Sequence, residues 1–273
     1  MSPELFTFTP GESPLLLSMP HAGTLLPPGF AERLRPEARK LPDTDWEIEK
    51  LYAFAPELGA GVIRASHSRY VIDLNRPPQD ESLYPGQATT GLCPLTQFDG
   101  TPIYAEGAEP RPEEIQARIR DYWQPYHDTI AAELSRLKAR HGYAILWDCH
   151  SIASRVPRLF EGTLPVFNLG TAHGTTAAPA LADAVFGVMR ESGFSHVHNG
   201  RFVGGHITRS FGKPDHGFHA LQMEIGSDAY MSPDHFGHFD EEKAARVRAA
   251  LKQMITALTR AAAQAFRSSP ANQ

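Results

Sequence analysis

The stretch "YAILWDCHS", Tyr143–Ser151, decides how the chain is read. Tyr143 to Trp147 is a short apolar run of the kind that becomes a buried strand, and it ends in Asp148, Cys149 and His150. "LLLSMPHAG", Leu15–Gly23, repeats the pattern: three leucines, then His21 behind a proline. Brief runs of the same type recur as "AGVIRAS", "YVIDLN", "PVFNLG" and "ALQMEIG", each bounded by Gly, Pro, Ser or Asn. Between them lie helical patterns. From Glu113 to His141 apolar residues recur as Ile115, Ile119, Tyr122, Tyr126, Ile130, Leu134 and Leu137. Gly142 is placed to end that helix, and Pro125 should kink or divide it. Further helices are predicted over Ala178–Ser192, stopped by Gly193, over Glu241–Phe266, and in "WEIEKLYAFA" from Trp46. Strands alternating with helices predict an α/β fold on a mainly parallel or mixed sheet.

The composition excludes several classes. A net charge of -5 gives no reason to expect nucleic acid or an acidic membrane as partner. No apolar stretch approaches the ~18 residues of a membrane helix, and the start "MSPELFTFTPGESP" shows no secretory signal. Two cysteines, Cys93 and Cys149, cannot form a disulfide scaffold or a cysteine metal cluster, so a reduced, cytoplasmic setting is expected. Residues 1–273 read as a single domain with one long excursion at about 77–112, rich in Pro, Gly, Thr and Gln. Excursions of that length are often lids or binding loops. The last residues, "RSSPANQ", read as a frayed tail. Oligomeric state is left open.

Open α/β sheets place their sites at the carboxyl ends of strands, so His21 and His150 could face one crevice. Each alone could simply cap its strand; as a pair they compete as ligands. "LPDTDWEIE" adds Asp43, Asp45, Glu47 and Glu49, with Asp43 and Glu49 explained by ordinary helix-start chemistry. Two imidazoles, one carboxylate (Asp45 is the choice) and a water would make an open catalytic zinc site. Arg76, after Asn75 in "YVIDLNRPP", could fork onto a substrate carboxylate or pair with Asp73. Glu224 sits inside apolar "ALQMEIG". It is either a desolvated general base or a residue on the solvated face of an edge strand. "NGRFVGGHITRSFGKPDHG" carries Arg201, His206, Thr208, Arg209 and His216 among five glycines, as ligand-approaching loops do. The remaining histidines, among them His67, His127, His198, His219 and His235, read as structural or exposed.

Together these segments resemble the N-formylglutamate amidohydrolase family. "SMPHAG", "LPDTDW", "SRYVIDLNRP", "TTGLCP", "DCHSI", "FNLGT", "NGRFVGGHITRSFG" and "LQMEI" carry the resemblance, in order, from Leu15 to about Tyr230. It implies a three-layer α/β/α fold with a central mixed, mostly parallel sheet, like the zinc carboxypeptidases and aminoacylases. It implies one divalent metal ion, zinc, on His21, Asp45 and His150, a substrate clamp at Asn75 and Arg76, and a catalytic glutamate at Glu224. Arg209, His206, Thr208 and Arg201 are further substrate-binding candidates. Where relatives often carry histidine after the tryptophan, this chain has Glu47, which leaves Glu47 as a rival metal carboxylate. The implied reaction is metal-dependent hydrolysis of N-formyl-L-glutamate to formate and L-glutamate, a step of histidine degradation. The implied partner is a small anionic N-acyl amino acid. Alternatives are a deacylase or carboxypeptidase acting on another N-acyl amino acid, a non-haem iron oxygenase, whose facial triad has the same ligand types, and a binding protein that kept the fold.

Overall fold

A computed structural model describes residues 4–81, 86, 88–232 and 238–266. Among the described residues seven strands form one sheet: β1 (Phe6–Thr9), β2 (Leu15–Met19), β3 (Gly61–Ala65), β4 (Ala144–Ile152), β5 (Phe167–Gly170), β6 (His196–His198) and β7 (Phe218–Gly226). Their order is β1-β3-β2-β4-β7-β5-β6. The central pairs β3–β2, β2–β4 and β4–β7 are parallel, as is β5–β6, whereas β1–β3 and β5–β7 are antiparallel. The sheet is therefore mixed and mostly parallel, as expected.

The helices are α1 (Ile48–Leu51), α2 (Pro112–Arg118), α3 (Gln124–His141), α4 (Pro179–Glu191), α5 (His206–Phe211) and α6 (Glu241–Ala265). Side chains alternate across a strand, and the two faces bury different sets. Leu15, Leu17, Ile145, Trp147, Leu221 and Met223 pack with Leu181 and Val185 of α4 and Leu251 and Ile255 of α6. Leu16, Ile63, Ala144, Leu146 and Ala220 pack instead with Tyr126, Ile130 and Leu134 of α3 and Ile207 of α5. Each fully buried aliphatic contributes roughly 1.5–3 kcal/mol, so both helical layers are tied to the sheet by apolar burial. No helix among the described residues is long and apolar enough to cross a membrane.

Several expectations need correction. "YVIDLN" is not a strand. Its backbone is taken up locally, with Val71 N–H on Ser68 O and Arg76 N–H on Asp73 O, while Asp73 N–H reaches Leu92 O. Its apolar side chains are buried, Tyr70 and Val71 in one cluster and Ile72 and Leu74 in another, but among the described residues no strand pairs with it. The predicted strand 143–147 continues to Ile152, every residue of β4 being buried. The long helix is divided before Pro125: a π turn, Ile119–Trp123, separates α2 from α3, and Gln124 N–H reaches back to Ile119 O. Pro125 lacks an N–H and is tolerated only in the first turn of the helix that follows. "WEIEKLYAFA" yields one α turn and then a 3₁₀ turn at Ala55–Leu58. Strands β1 and β6, four and three residues long, were too short to read from pattern. The tail "RSSPANQ" and His235 lie outside the described residues.

Candidate active site

The continuation of β4 sets the site. Residues 148 and 150 point to the same face as Leu146, and in β7 residues 222 and 224 match Ala220. The parallel register puts Asp148 beside Gln222 and His150 beside Glu224. That face is not solvated at this end: Asp148 is 0% exposed, His150 2% and Glu224 6%. The expected edge-strand alternative for Glu224 is thereby set aside, since β7 lies inside the sheet between β4 and β5.

His21 follows β2 in a tight turn. A Cβ at Gly23 would fall 2.2 Å from His67 O, so only glycine lets the turn press against the neighbouring chain. The turn in turn anchors Asp45, whose N–H donates to His21 O at 3.0 Å. The result is a convergent triad: metal-ligating atoms of His21, Asp45 and His150 all lie within 4.8 Å of one another. Nδ1 of His150 is 3.2 Å and Nδ1 of His21 3.8 Å from the same Asp45 Oδ2. The opposite ring nitrogens are held by carboxylates: His21 Nε2 lies 2.7 Å from Asp73 Oδ1, and His150 Nε2 3.1 Å from Asp148 Oδ2. Ligating histidines commonly have their second nitrogen fixed in this way. Glu47, the rival carboxylate, is turned away in a left-handed conformation and pairs with Lys50 at 2.8 Å.

The charge balance fits a cation. Asp45, Asp73, Asp148 and Glu224 are all buried, with the buried guanidinium of Arg69 among them, 2.6 Å from Asp73 Oδ2 and 3.9 Å from Asp45 Oδ1. Such an excess of buried carboxylates is costly without a compensating positive charge. Burial alone would lower the His150 pKa, yet Asp148 and Asp45 override it and raise it well above the imidazole range. His21 is lowered, by burial and then by Arg69, against the pull of Asp73 and Asp45. Burial raises Glu224 to about 8, with His150 opposing and Asp45 adding to the rise. A divalent ion at the triad would favour the ionised carboxylate instead.

The cavity above the triad opens to solvent and is lined by Glu224, Arg69, Asn75, Arg76, Arg201 and Phe202, among others. Asn75 Oδ1 accepts from Ile207 N–H at 2.8 Å, and its Nδ2 is 3.0 Å from His150 Nε2. A Cβ at Gly205 would sit 2.3 Å from Asn75 Nδ2, which explains the second glycine of "VGGH". Arg76 donates from Nε to Thr90 O at 2.8 Å, and Arg201 Nη2 to Ala88 O at 3.2 Å, so the excursion after Pro77 forms part of the rim. The suggested side-chain pair of Arg76 with Asp73 is replaced by these contacts, Asp73 being taken by Arg69 and His21.

Three candidates lie off the cavity lining. Thr208 is buried behind it, its hydroxyl 3.2 Å from Asp148 Oδ2. His206 packs on Trp123 and His127 at 5.6 and 5.4 Å between ring centroids. Arg209 is exposed, with Nε on Gly204 O at 2.9 Å. Asp43 is no helix cap; it accepts from Tyr70 OH at 2.9 Å and Phe98 N–H at 3.0 Å. Sequence reading missed Asp148, Arg69 and Gln222, whose Oε1 accepts Gly205 N–H at 2.7 Å. Asp148 and Gln222 stand two residues from His150 and Glu224, a signal available once both are placed within strands.

Comparisons with known proteins identify the family and the fold. Residues 13–231 match the N-formylglutamate amidohydrolase family. The chain is 49% identical over 256 residues to the N-formylglutamate deformylase of Pseudomonas putida, covering 93% of this chain and 96% of that protein. It is 50% identical, with the same coverage, to the enzyme of that name from Pseudomonas aeruginosa. Among solved structures, the N-formylglutamate amidohydrolase of Ralstonia eutropha superposes with a TM-score of 0.78 at 26% identity, over 94% of this chain and 96% of that one. A gene product of Agrobacterium tumefaciens shares the fold, with a TM-score of 0.71 at 19% identity over 94% and 96% of the two chains. The match spans the segments that carry the sequence resemblance and supply His21, Asp45 and His150, and this chain belongs to the N-formylglutamate amidohydrolase family.

Proposed function

We propose that this chain hydrolyses N-formyl-L-glutamate to formate and L-glutamate with a divalent metal ion, zinc, held by His21, Asp45 and His150. The observation that carries the reading is the convergence of two Nδ1 atoms on one Asp45 oxygen, with both Nε2 atoms anchored by carboxylates. Three protein ligands leave a further position open, as catalytic zinc sites require. When bound, the ion supplies Lewis-acid polarisation of the formyl carbonyl and lowers the pKa of water.

The chain's own residues do the rest. Glu224, beside His150 in the neighbouring strand, takes a proton from the attacking water and returns it to the leaving amine. As the C–N bond breaks, the water oxygen stays with formate and the nitrogen leaves on glutamate. The guanidinium of Arg69, next to Asp45, offers positive charge to the oxygen that becomes negative in the transition state. Arg76 and Arg201, on the cavity wall, bind the two carboxylates of the substrate.

The test is a formate-release assay on N-formyl-L-glutamate before and after chelation, with zinc, iron and other divalent ions restored in turn. Activity that is lost on chelation and recovered with zinc, without oxygen, supports the reading. Faster turnover of N-acetyl-L-glutamate or of a peptide would transfer the site to another acyl group. Retention of full activity by metal-free protein would remove the metal.

A further inference from the structure

Arg76 stands at the end of a segment, 70–76, that belongs to no strand, yet it must be held still to serve a substrate. Three successive carbonyls at this tip need donors. Leu74 O accepts from His127 Nε2 at 2.8 Å, Asn75 O from His206 N–H at 3.4 Å, and Arg76 O from Trp123 Nε1 at 2.9 Å. The two side-chain donors are four residues apart across the junction of the π turn and α3, so they share one stripe of the helix. Their rings stack at 3.6 Å with an interplanar angle of 12°. His127 also packs on Phe211, and His206 rests on both rings of the pair. Trp123 is 7% exposed and His127 5%. Burial pushes the His127 pKa down to about 3, so the ring is neutral with a single N–H, which the Leu74 carbonyl places on Nε2.

π turns recur at functional sites, and here the turn delivers the indole to the residue that lines the cavity. We propose that Trp123 and His127 are positioning residues, a stacked pair on the helix junction that grips the carbonyls of Leu74 and Arg76 and thereby fixes the Arg76 guanidinium at the cavity wall. The role of Arg76 in binding substrate rests on the function proposed above; the grip on its backbone does not.

The experiment uses the full, metal-loaded chain with Trp123→Phe, His127→Leu and His127→Gln. Phenylalanine keeps the stacking and removes the donor; glutamine keeps an N–H that can reach Leu74 O. Loss of one such bond is expected to raise KM for N-formyl-L-glutamate ~10-fold in W123F and H127L. Because the interaction orients substrate binding, kcat should stay within ~2-fold. H127Q should recover most of the loss. In an Arg76→Ala background W123F should add less than ~2-fold, since the two changes act through one residue. A fall in kcat at unchanged KM, an H127Q defect as large as that of H127L, or an undiminished W123F effect in the Arg76→Ala protein would overturn the proposal. A crystal structure of W123F reads the geometry without substrate. Displacement of Arg76 Nε from Thr90 O is expected, and an unmoved Arg76 would contradict it. If W123F does not fold, the pair of His127 variants decides by the same criteria. If wild-type protein releases no formate, the proposed reaction fails while the crystal structure still decides the grip.

Discussion

Along β4 and β7 adjacent residues face opposite ways into opposite chemistry. Ile145, Trp147, Cys149, Leu221, Met223 and Ile225 meet the apolar layer of α4 and α6. Asp148, His150, Gln222 and Glu224 meet the triad and the cavity. Burial does not separate the two: Cys149 is 0% exposed and His150 2%. What differs is how burial is compensated. On the first face it is rewarded by dispersion and desolvation of carbon, and it holds the Cys149 thiol well above its ordinary pKa, so the thiol is unreactive. On the second, hydrogen bonds and ion pairs tie His150 to Asp45 and Asp148, Gln222 to Gly205, and Asp148 Oδ2 to Thr208, while Asp148 Oδ1 is buried with no hydrogen-bond partner among the described residues. One strand pair thus packs the core from one side and carries the candidate site on the other, and under the proposed function the two should separate under mutation.

The largest effect is expected from removing a ligand. His150→Ala should abolish formate release and bound metal together while the circular dichroism spectrum of the fold is kept; retained stoichiometric metal would place the ion elsewhere. Next comes the cavity wall. Arg76→Ala should lower kcat/KM by ~2–4 kcal/mol, because a substrate carboxylate loses a charged partner. Unchanged kinetics would take Arg76 out of substrate binding. A smaller effect should follow from the anchoring carboxylates: Asp73→Asn or Asp148→Asn should weaken metal affinity ~10–100-fold, as losses at groups that orient ligands do. Metal titration with a competing chelator checks this, and unchanged affinity in both would mean that the imidazoles hold themselves.

The smallest effect on turnover is expected on the apolar face. Leu221→Ala should destabilise the fold by ~2–5 kcal/mol through lost burial and a cavity, measured by denaturant melting, while kcat/KM of the folded enzyme stays unchanged. A loss of turnover as large as that of Arg76→Ala would show that the two faces are not independent.

The sequence made the strand–helix alternation legible because apolar runs and helical periodicity are local. It likewise marked His21, Asp45 and His150, whose types and order suit a metal. It misread "YVIDLN", because a short apolar run reports burial of side chains and says nothing about a neighbouring strand. It also ended β4 too early, at Trp147, where polar residues begin; the ladder to β7 carries that strand on to Ile152. Asp73 and Arg69 escaped as site residues because their roles depend on a pairing between residues 69, 73 and 21 that only the folded chain creates. Arg209 was grouped with the substrate-binding arginines by its glycine-rich surroundings; on α5 it is exposed and is not among the residues that line the cavity.

The account turns on Glu224 moving a proton beside a metal it does not hold. The most direct test is single-turnover formate release from N-formyl-L-glutamate by Glu224→Gln, with metal content measured on the same sample. The amide keeps the shape and hydrogen bonding of the side chain but cannot take a proton. The account predicts full metal occupancy and a rate lower by ~10²–10⁴-fold. A rate close to wild type with the metal bound would contradict it, and another group would then have to move the proton.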